Sequence, residues 1–210
     1  MGAAQVGEGE DMAGERVSQP GQITFSPATA ERWPELEALF GPRGACAGCW
    51  DMWWRLPRAE FDRLKGEGNK DAFRALVATG VVPGVLAYVG EQPAGWCAIQ
   101  PRSAYPALER SRALRPVDDQ PVWSVTCFFV ARAQRRQGLA VQLLRAATAY
   151  AVSRGATIVE GYPSIPKSPA MPDVFAWHGT LSTFTRAGFA EVARPSASRA
   201  IVRYMAQQSA

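Results

Sequence analysis

The stretch FFVARAQRRQGLAVQLLRAA, from Phe128 to Ala147, constrains the fold more than any other. It begins as an apolar run suited to a buried strand, continuing the WSVTC that precedes it. It ends with Leu139, Leu143, Leu144 and Ala147 on one face of a helix, which Gly155 is placed to stop. Arg132, Arg135, Arg136 and a lone Gly138 lie between the two. A strand that turns straight into a helix leaves the first helical N–H groups unpaired, and these groups with the helix dipole make an anion site. At Gly138 no Cβ keeps a ligand from the main chain, Ala140 keeps the next position small, and Arg135 and Arg136 add positive charge. A diphosphate fits these features. The Gly-Lys-Ser/Thr ending of a P-loop and the three glycines of a dinucleotide fingerprint are both absent.

The rest of the chain alternates strand and helix signals. A short strand near Ile23–Phe25 is followed by a helix that Thr29 is placed to cap, with Leu36 and Leu39 on its apolar face and Gly41 as its stop. RAEFDRLKGEGNKDAFRALVATG reads as two short helices broken at Gly66–Gly68. VPGVLAYVGEQPAGWCAIQPR reads as a hairpin turning at Gly90–Pro93. After the central strand and helix come a buried strand in ATIVEGYP, a Pro-rich loop, a helix over Thr180–Ala187, and strands near Ala190–Arg194 and Ala200–Met205. The order predicts a mixed α/β domain of the α+β type over residues 21–210, with a central sheet of six to seven strands flanked by helices. Residues 1–20, rich in Gly, Glu, Gln and Ser, read as a flexible tail.

With 210 residues, 47% hydrophobic and 20% charged, the chain has the makings of one soluble domain with a proper core. Its net charge of +4 is not gathered into long basic runs, so nucleic acid is not an expected partner. The absence of an apolar stretch of spanning length argues against a membrane, and the absence of a signal segment argues for the cytoplasm, with Cys46, Cys49, Cys97 and Cys127 as reduced thiols.

The central turn resembles the acetyl-CoA-binding motif of the GNAT superfamily of N-acetyltransferases, Gln/Arg-x-x-Gly-x-Gly/Ala, with Arg135, Gly138 and Ala140 in its three defined places. FTRAGF (Phe184–Phe189) resembles the family's late helix-to-strand corner, and WSVTCFFV and GYP resemble one bacterial branch. The resemblance implies transfer of an acetyl group from acetyl-CoA to a primary amine, without a metal. It implies that Arg135, Arg136, Gln137, Gly138, Leu139 and Ala140 surround the diphosphate. Phe128, Phe129 and Val130 would pair with the pantetheine arm through their main chain, and the fourth strand would end at Val130. It also leaves a homodimer open. The tyrosine that many relatives use as the acid is replaced here by Phe184. That replacement keeps open a second reading, a non-catalytic acyl-CoA-binding sensor or accessory module.

An amine with a pKa near 10.4 is only about a thousandth neutral at pH 7, so its proton needs an acceptor. Glu160 is the first candidate for the base, against its reading as an ordinary strand residue; Tyr162 and Ser182 are candidates for the missing acid. His178, the single histidine, has the right intrinsic pKa for base work, against its reading as an idle surface residue. In CAGCWDMWWR, Trp50 and Trp54 are expected to line an acceptor pocket with Trp53, and Asp51 to hold an ammonium. The same tryptophans, at i, i+3 and i+4, also fit one buried helical face. Cys46 and Cys49 form a C-x-x-C without the second pair that a structural zinc site needs. Cys127 as an acyl-carrying nucleophile lacks an evident base, and core packing is the plainer reading.

Overall fold

The computed structural model describes residues 21–165 and 178–207. The expected tail and most of the loop over 164–177 lie outside them. Seven strands form one sheet in the order β1-β2-β3-β4-β5-β7-β6. They are β1 (Ile23–Pro27), β2 (Gly84–Val89), β3 (Gln92–Pro101), β4 (Trp123–Val130), β5 (Ile158–Gly161), β6 (Ala190–Ser196) and β7 (Arg199–Met205). The helices are α1 (Trp33–Phe40), α2 (Arg58–Leu64), α3 (Glu67–Ala78), α4 (Pro106–Glu109), α5 (Leu139–Ser153) and α6 (Leu181–Arg186). The mixed α/β architecture and its strand number agree with the sequence reading.

Hydrophobic clusters cover both faces of the sheet, and a smaller one gathers around Tyr105, Leu108 and Tyr162. On one face, Leu139, Leu143, Leu144, Ala147 and Ala151 of α5 pack on Val125, Phe128, Val159 and Phe184. On the other, Trp33, Leu36 and Phe40 of α1 and Phe73 of α3 pack with Trp50 and Trp96. Alternation along β4 feeds both: Phe128 points to the first core and Phe129 to the second.

Two local expectations change. Thr29 caps no α-helix; a 3-10 turn over Ala30–Arg32 intervenes, and α1 begins at Trp33, where Pro34 suits a first turn. Trp50, Trp53 and Trp54 do not share a helical face. Gly44–Gly48 forms an irregular wide turn, and Trp50 and Asp51 follow at φ 47° and 59°. Four non-glycine residues with positive φ, Ala45, Ala47, Trp50 and Asp51, fall within this one segment. Such backbone persists only where the surroundings hold it. The Trp50 ring, wedged between Trp33 (6.1 Å) and Phe40 (5.5 Å), supplies that hold.

Candidate active site

The site begins where β4 and β5 part. These are the sheet's parallel neighbours, and they pair only from Trp123↔Val159 to Val125↔Gly161. β5 then ends while β4 continues to Val130, paired on its other side with β3 as far as Gly95. The β3–β4 register jumps from Ile99↔Val125 to Ala98↔Cys127, which makes Thr126 the extra residue of a bulge in β4. A bulge frees main-chain groups from the ladder and re-aims the strand. The chain thus opens a wedge and loosens the strand at its mouth.

A cavity of about 780 Å³ fills this wedge. Cys127, Phe128, Phe129 and Val130 of β4 line one wall, and Arg135, Arg136, Gly138, Leu139 and Ala140 line another. Eight of the nine residues expected around the cofactor are therefore brought together on one surface; Gln137 is the exception, exposed and donating to the Ala133 carbonyl (2.8 Å). β4 ends at Val130, where the family resemblance puts it. Arg135 folds back so that its Nε donates to the Val130 carbonyl (2.9 Å), pinning the turn to the strand end. Gly138, at φ 81°, is the N-cap of α5 and has no side chain to occupy the first N–H groups. A Cβ placed on it would meet no protein atom within 4 Å. Glycine is required here by the left-handed backbone, and the space it leaves belongs to the cavity.

The wide turn closes the opposite side. Cys46, Cys49, Asp51 and Trp53 line the same cavity, whereas Trp50 is 2% exposed and belongs to the core. Asp51 is buried, and both the Nε (3.2 Å) and the Nη2 (3.0 Å) of Arg55 donate to its Oδ2. Burial pushes the Asp51 carboxyl upward, and Arg55 limits the rise. Burial, with Asp51 nearby, also raises the Cys127 thiol well above its ordinary range, and Cys49 is pushed up to about 11. These thiols are protonated at neutral pH and are poor nucleophiles. Among the described residues no group of three or more His, Cys, Asp and Glu is placed to hold a metal ion.

Glu160 and Tyr162 are elsewhere. Glu160 is 0% exposed and lines neither this cavity nor the smaller one described next. Its Oε1 faces Arg102 (3.3 Å) and accepts from the Tyr162 hydroxyl (2.8 Å), while its Oε2 accepts from Arg203 (2.8 Å). Tyr162 also meets Arg102 and Ser124, both at 2.8 Å, and burial beside Glu160 drives its phenol pKa far upward. Glu160 and Tyr162, expected as base and acid, are held in a buried polar knot that joins β4, β5 and β7, and neither residue lines either cavity. Ser182 is exposed and does not line the cavity. Phe184 is core, edge-on to Phe128 (5.8 Å) and Phe189 (5.1 Å).

His178 sits at the mouth instead. It is 6% exposed and bonds the Thr126 main chain at the bulge, and the next residue, Gly179, lines the cavity. On its other side His178 lines a second cavity of about 310 Å³ with Trp54, Arg199, Ser196 and Ser198. Trp53 borders both cavities. Burial lowers the His178 pKa well below the ordinary histidine value, and the Arg199 charge lowers it further, while the Thr126 bond opposes them. The imidazole is therefore neutral at pH 7.

The family model for the acetyltransferase (GNAT) family matches residues 50–164, more than half of the chain, from the wide turn to the end of the wedge. The chain belongs to the GNAT family. Solved structures share its fold at low identity. A GNAT-family acetyltransferase from Listeria monocytogenes is 9% identical, with a TM-score of 0.52 over 88% of this chain and 95% of that one. One from Streptococcus pneumoniae is 13% identical, with a TM-score of 0.51 over 88% and 99%. The PaiA N-acetyltransferase from Thermoplasma acidophilum, solved in complex with coenzyme A, is 11% identical, with a TM-score of 0.50 over 88% and 99%. No curated protein matches this GNAT sequence.

Proposed function

We propose that this GNAT protein transfers an acetyl group from acetyl-CoA to the primary amine of a small molecule or peptide by direct attack on the thioester. The observation that carries the reading is the wedge between β4 and β5, with the uncapped start of α5 and Gly138 at one end and the Thr126 bulge at the other. The free N–H groups of the α5 turn and the Arg135 and Arg136 charges suit a diphosphate. Main-chain groups of Phe128 to Val130, without a strand partner on the β5 side among the described residues, suit an amide-bearing arm. A main-chain N–H released at the bulge suits an oxyanion.

Two side chains fit the acceptor. Asp51, facing the cavity with its charge held by Arg55, attracts an ammonium as it enters. His178, neutral and held at the Thr126 bulge beside Gly179 of the cavity wall, is assigned the proton that the amine sheds on attack. No acid is needed for departure, because a thiol with a pKa of about 8.5 leaves as thiolate. Phe184, buried and without a proton to give, is the one observation that favours the second reading, an acyl-CoA-binding module without turnover.

Calorimetric titration with acetyl-CoA, beside the Gly138→Glu variant, tests the proposal. The parent is expected to bind and the variant to lose binding, since a carboxylate there fills the open space and repels a diphosphate. No binding by the folded parent would end both readings. Binding without CoA release on any amine would select the second.

A further inference from the structure

The second cavity has a chemistry of its own. Among the described residues its lining, which includes Trp54, Ser111, His178, Ser196, Ser198 and Arg199, contains no Asp or Glu. Arg199 is half-buried there. It donates to the Tyr162 carbonyl (2.9 Å) but forms no ion pair among the described residues. A guanidinium withdrawn from water without a carboxylate is costly, and burial is the sole resolved influence on it, lowering its pKa. The Trp54 indole Nε1 is also buried and takes no hydrogen bond among the described residues. Its ring lies 5.9 Å from that of His178. Arg110, Arg112 and Arg115, exposed and without ion pairs among the described residues, bracket the lining residues Ser111, Ala113 and Leu114. Among the described residues the cavity therefore presents hydrogen-bond donors and no carboxylate, with three arginines next to its lining residues in sequence.

We infer that this cavity binds the carboxylate of the acceptor, so that the preferred substrate is a small amine that also carries a carboxylate, with Arg199 as its clamp. The inference rests on the proposed acetyl transfer and names its substrate class. A volume of about 310 Å³ lies at the small end of ligand pockets and suits a molecule of amino-acid size. Trp53 borders both cavities, and His178 lines this one beside Gly179 of the other. A carboxylate held at Arg199 thus leaves the amine to pass His178 toward the β4 bulge. The exposed Arg110, Arg112 and Arg115, neighbours in sequence of lining residues, add positive charge that favours such anions.

The test is CoA release on paired acceptors, the proteinogenic amino acids and their α-carboxamides, with acetyl-CoA affinity measured separately by calorimetry. At least one acid is expected to react about tenfold or more faster in kcat/KM than its amide. Arg199→Gln should raise the KM for that acid about tenfold to a hundredfold, leave the amide's KM in place and leave acetyl-CoA binding intact. Arg112→Gln, at an exposed site that does not endanger folding, should raise the acid's KM by a smaller factor that vanishes at high salt. Equal rates for acids and amides, faster amides, turnover of neither, or a KM indifferent to both variants would each overturn the inference while acetyl-CoA binding still stands. Loss of acetyl-CoA binding in the parent would instead overturn the transfer reading beneath it.

Discussion

Two polar groups flank the same strand and have opposite characters. On the β5–β7 side, Glu160 is surrounded by Arg102, Arg203 and Tyr162, and each arginine has a further acidic neighbour, Glu109 at 2.8 Å and Asp118 at 2.6 Å. His178 and Asp51, by contrast, are held by partners and each also lines a cavity. A buried carboxylate that accepts from two arginines and a tyrosine holds strands together. A held group that also lines a cavity can act on a ligand. Nearness to the motif in sequence favours Glu160; a place on or beside a cavity wall favours His178 and Asp51.

The comparison breaks most readily at Glu160 and His178. Glu160→Gln removes the charge that Arg102 and Arg203 share, and unfolding in urea should show a loss of about 3 kcal/mol. That is the low end for a broken buried pair, because Glu109 and Asp118 remain as partners. The folded fraction should keep its acetyl-CoA affinity. His178→Gln should do the reverse, lowering kcat about a hundredfold or more at nearly unchanged stability at pH 7.5. A stable but inactive Glu160→Gln enzyme would restore Glu160 as the base.

A smaller effect is expected at Gly161, the end of β5. An added methyl there would overlap the Phe184 ring. Gly161→Ala should cost about 1–3 kcal/mol in thermal or urea unfolding. Pairing it with Phe184→Leu should recover part of the loss, which would confirm that the phenylalanine at the corner is a packing residue. An unperturbed single variant would contradict that.

The smallest effect is in pH. His178 is neutral when folded, with its pKa depressed, and has an ordinary value near 6.5 when unfolded. Its contribution is fully present above pH 6.5. As the pH falls below that value, the unfolded chain takes up a proton that the folded chain refuses, and stability drops by up to about 1.4 kcal/mol per pH unit. Thermal scans from pH 7.5 to 5 should show this decline, and His178→Gln should flatten it. An equal slope in the variant would mean that the His178 pKa is the same in the folded and unfolded chain.

Much of the fold was legible because it follows from local rules. The strand–helix turn with its glycine, the hairpin at Gly90, the stop at Gly155 and the corner at Gly188 each rest on spacing or on a backbone conformation that few residues adopt. The cofactor wall was legible for the same reason, since main chain and small residues build it. The tryptophan segment was not, because its positive-φ turns are imposed by Trp33 and Phe40 from another element. Nor could the chain alone reveal the second cavity, which joins Trp54, Ser111, His178 and Arg199 from four distant stretches.

The sequence by itself determined the family and the place of the anion turn, since both are written in contiguous residues whose periodicity and glycines act locally. Only the tertiary structure decided which titratable groups are spent and which are available. Burial, the number of partners and the side of β4 that a residue faces are set by segments far apart in the chain. Desolvation and pairing at those meeting points, rather than residue type, separate the Glu160 knot from the His178 mouth.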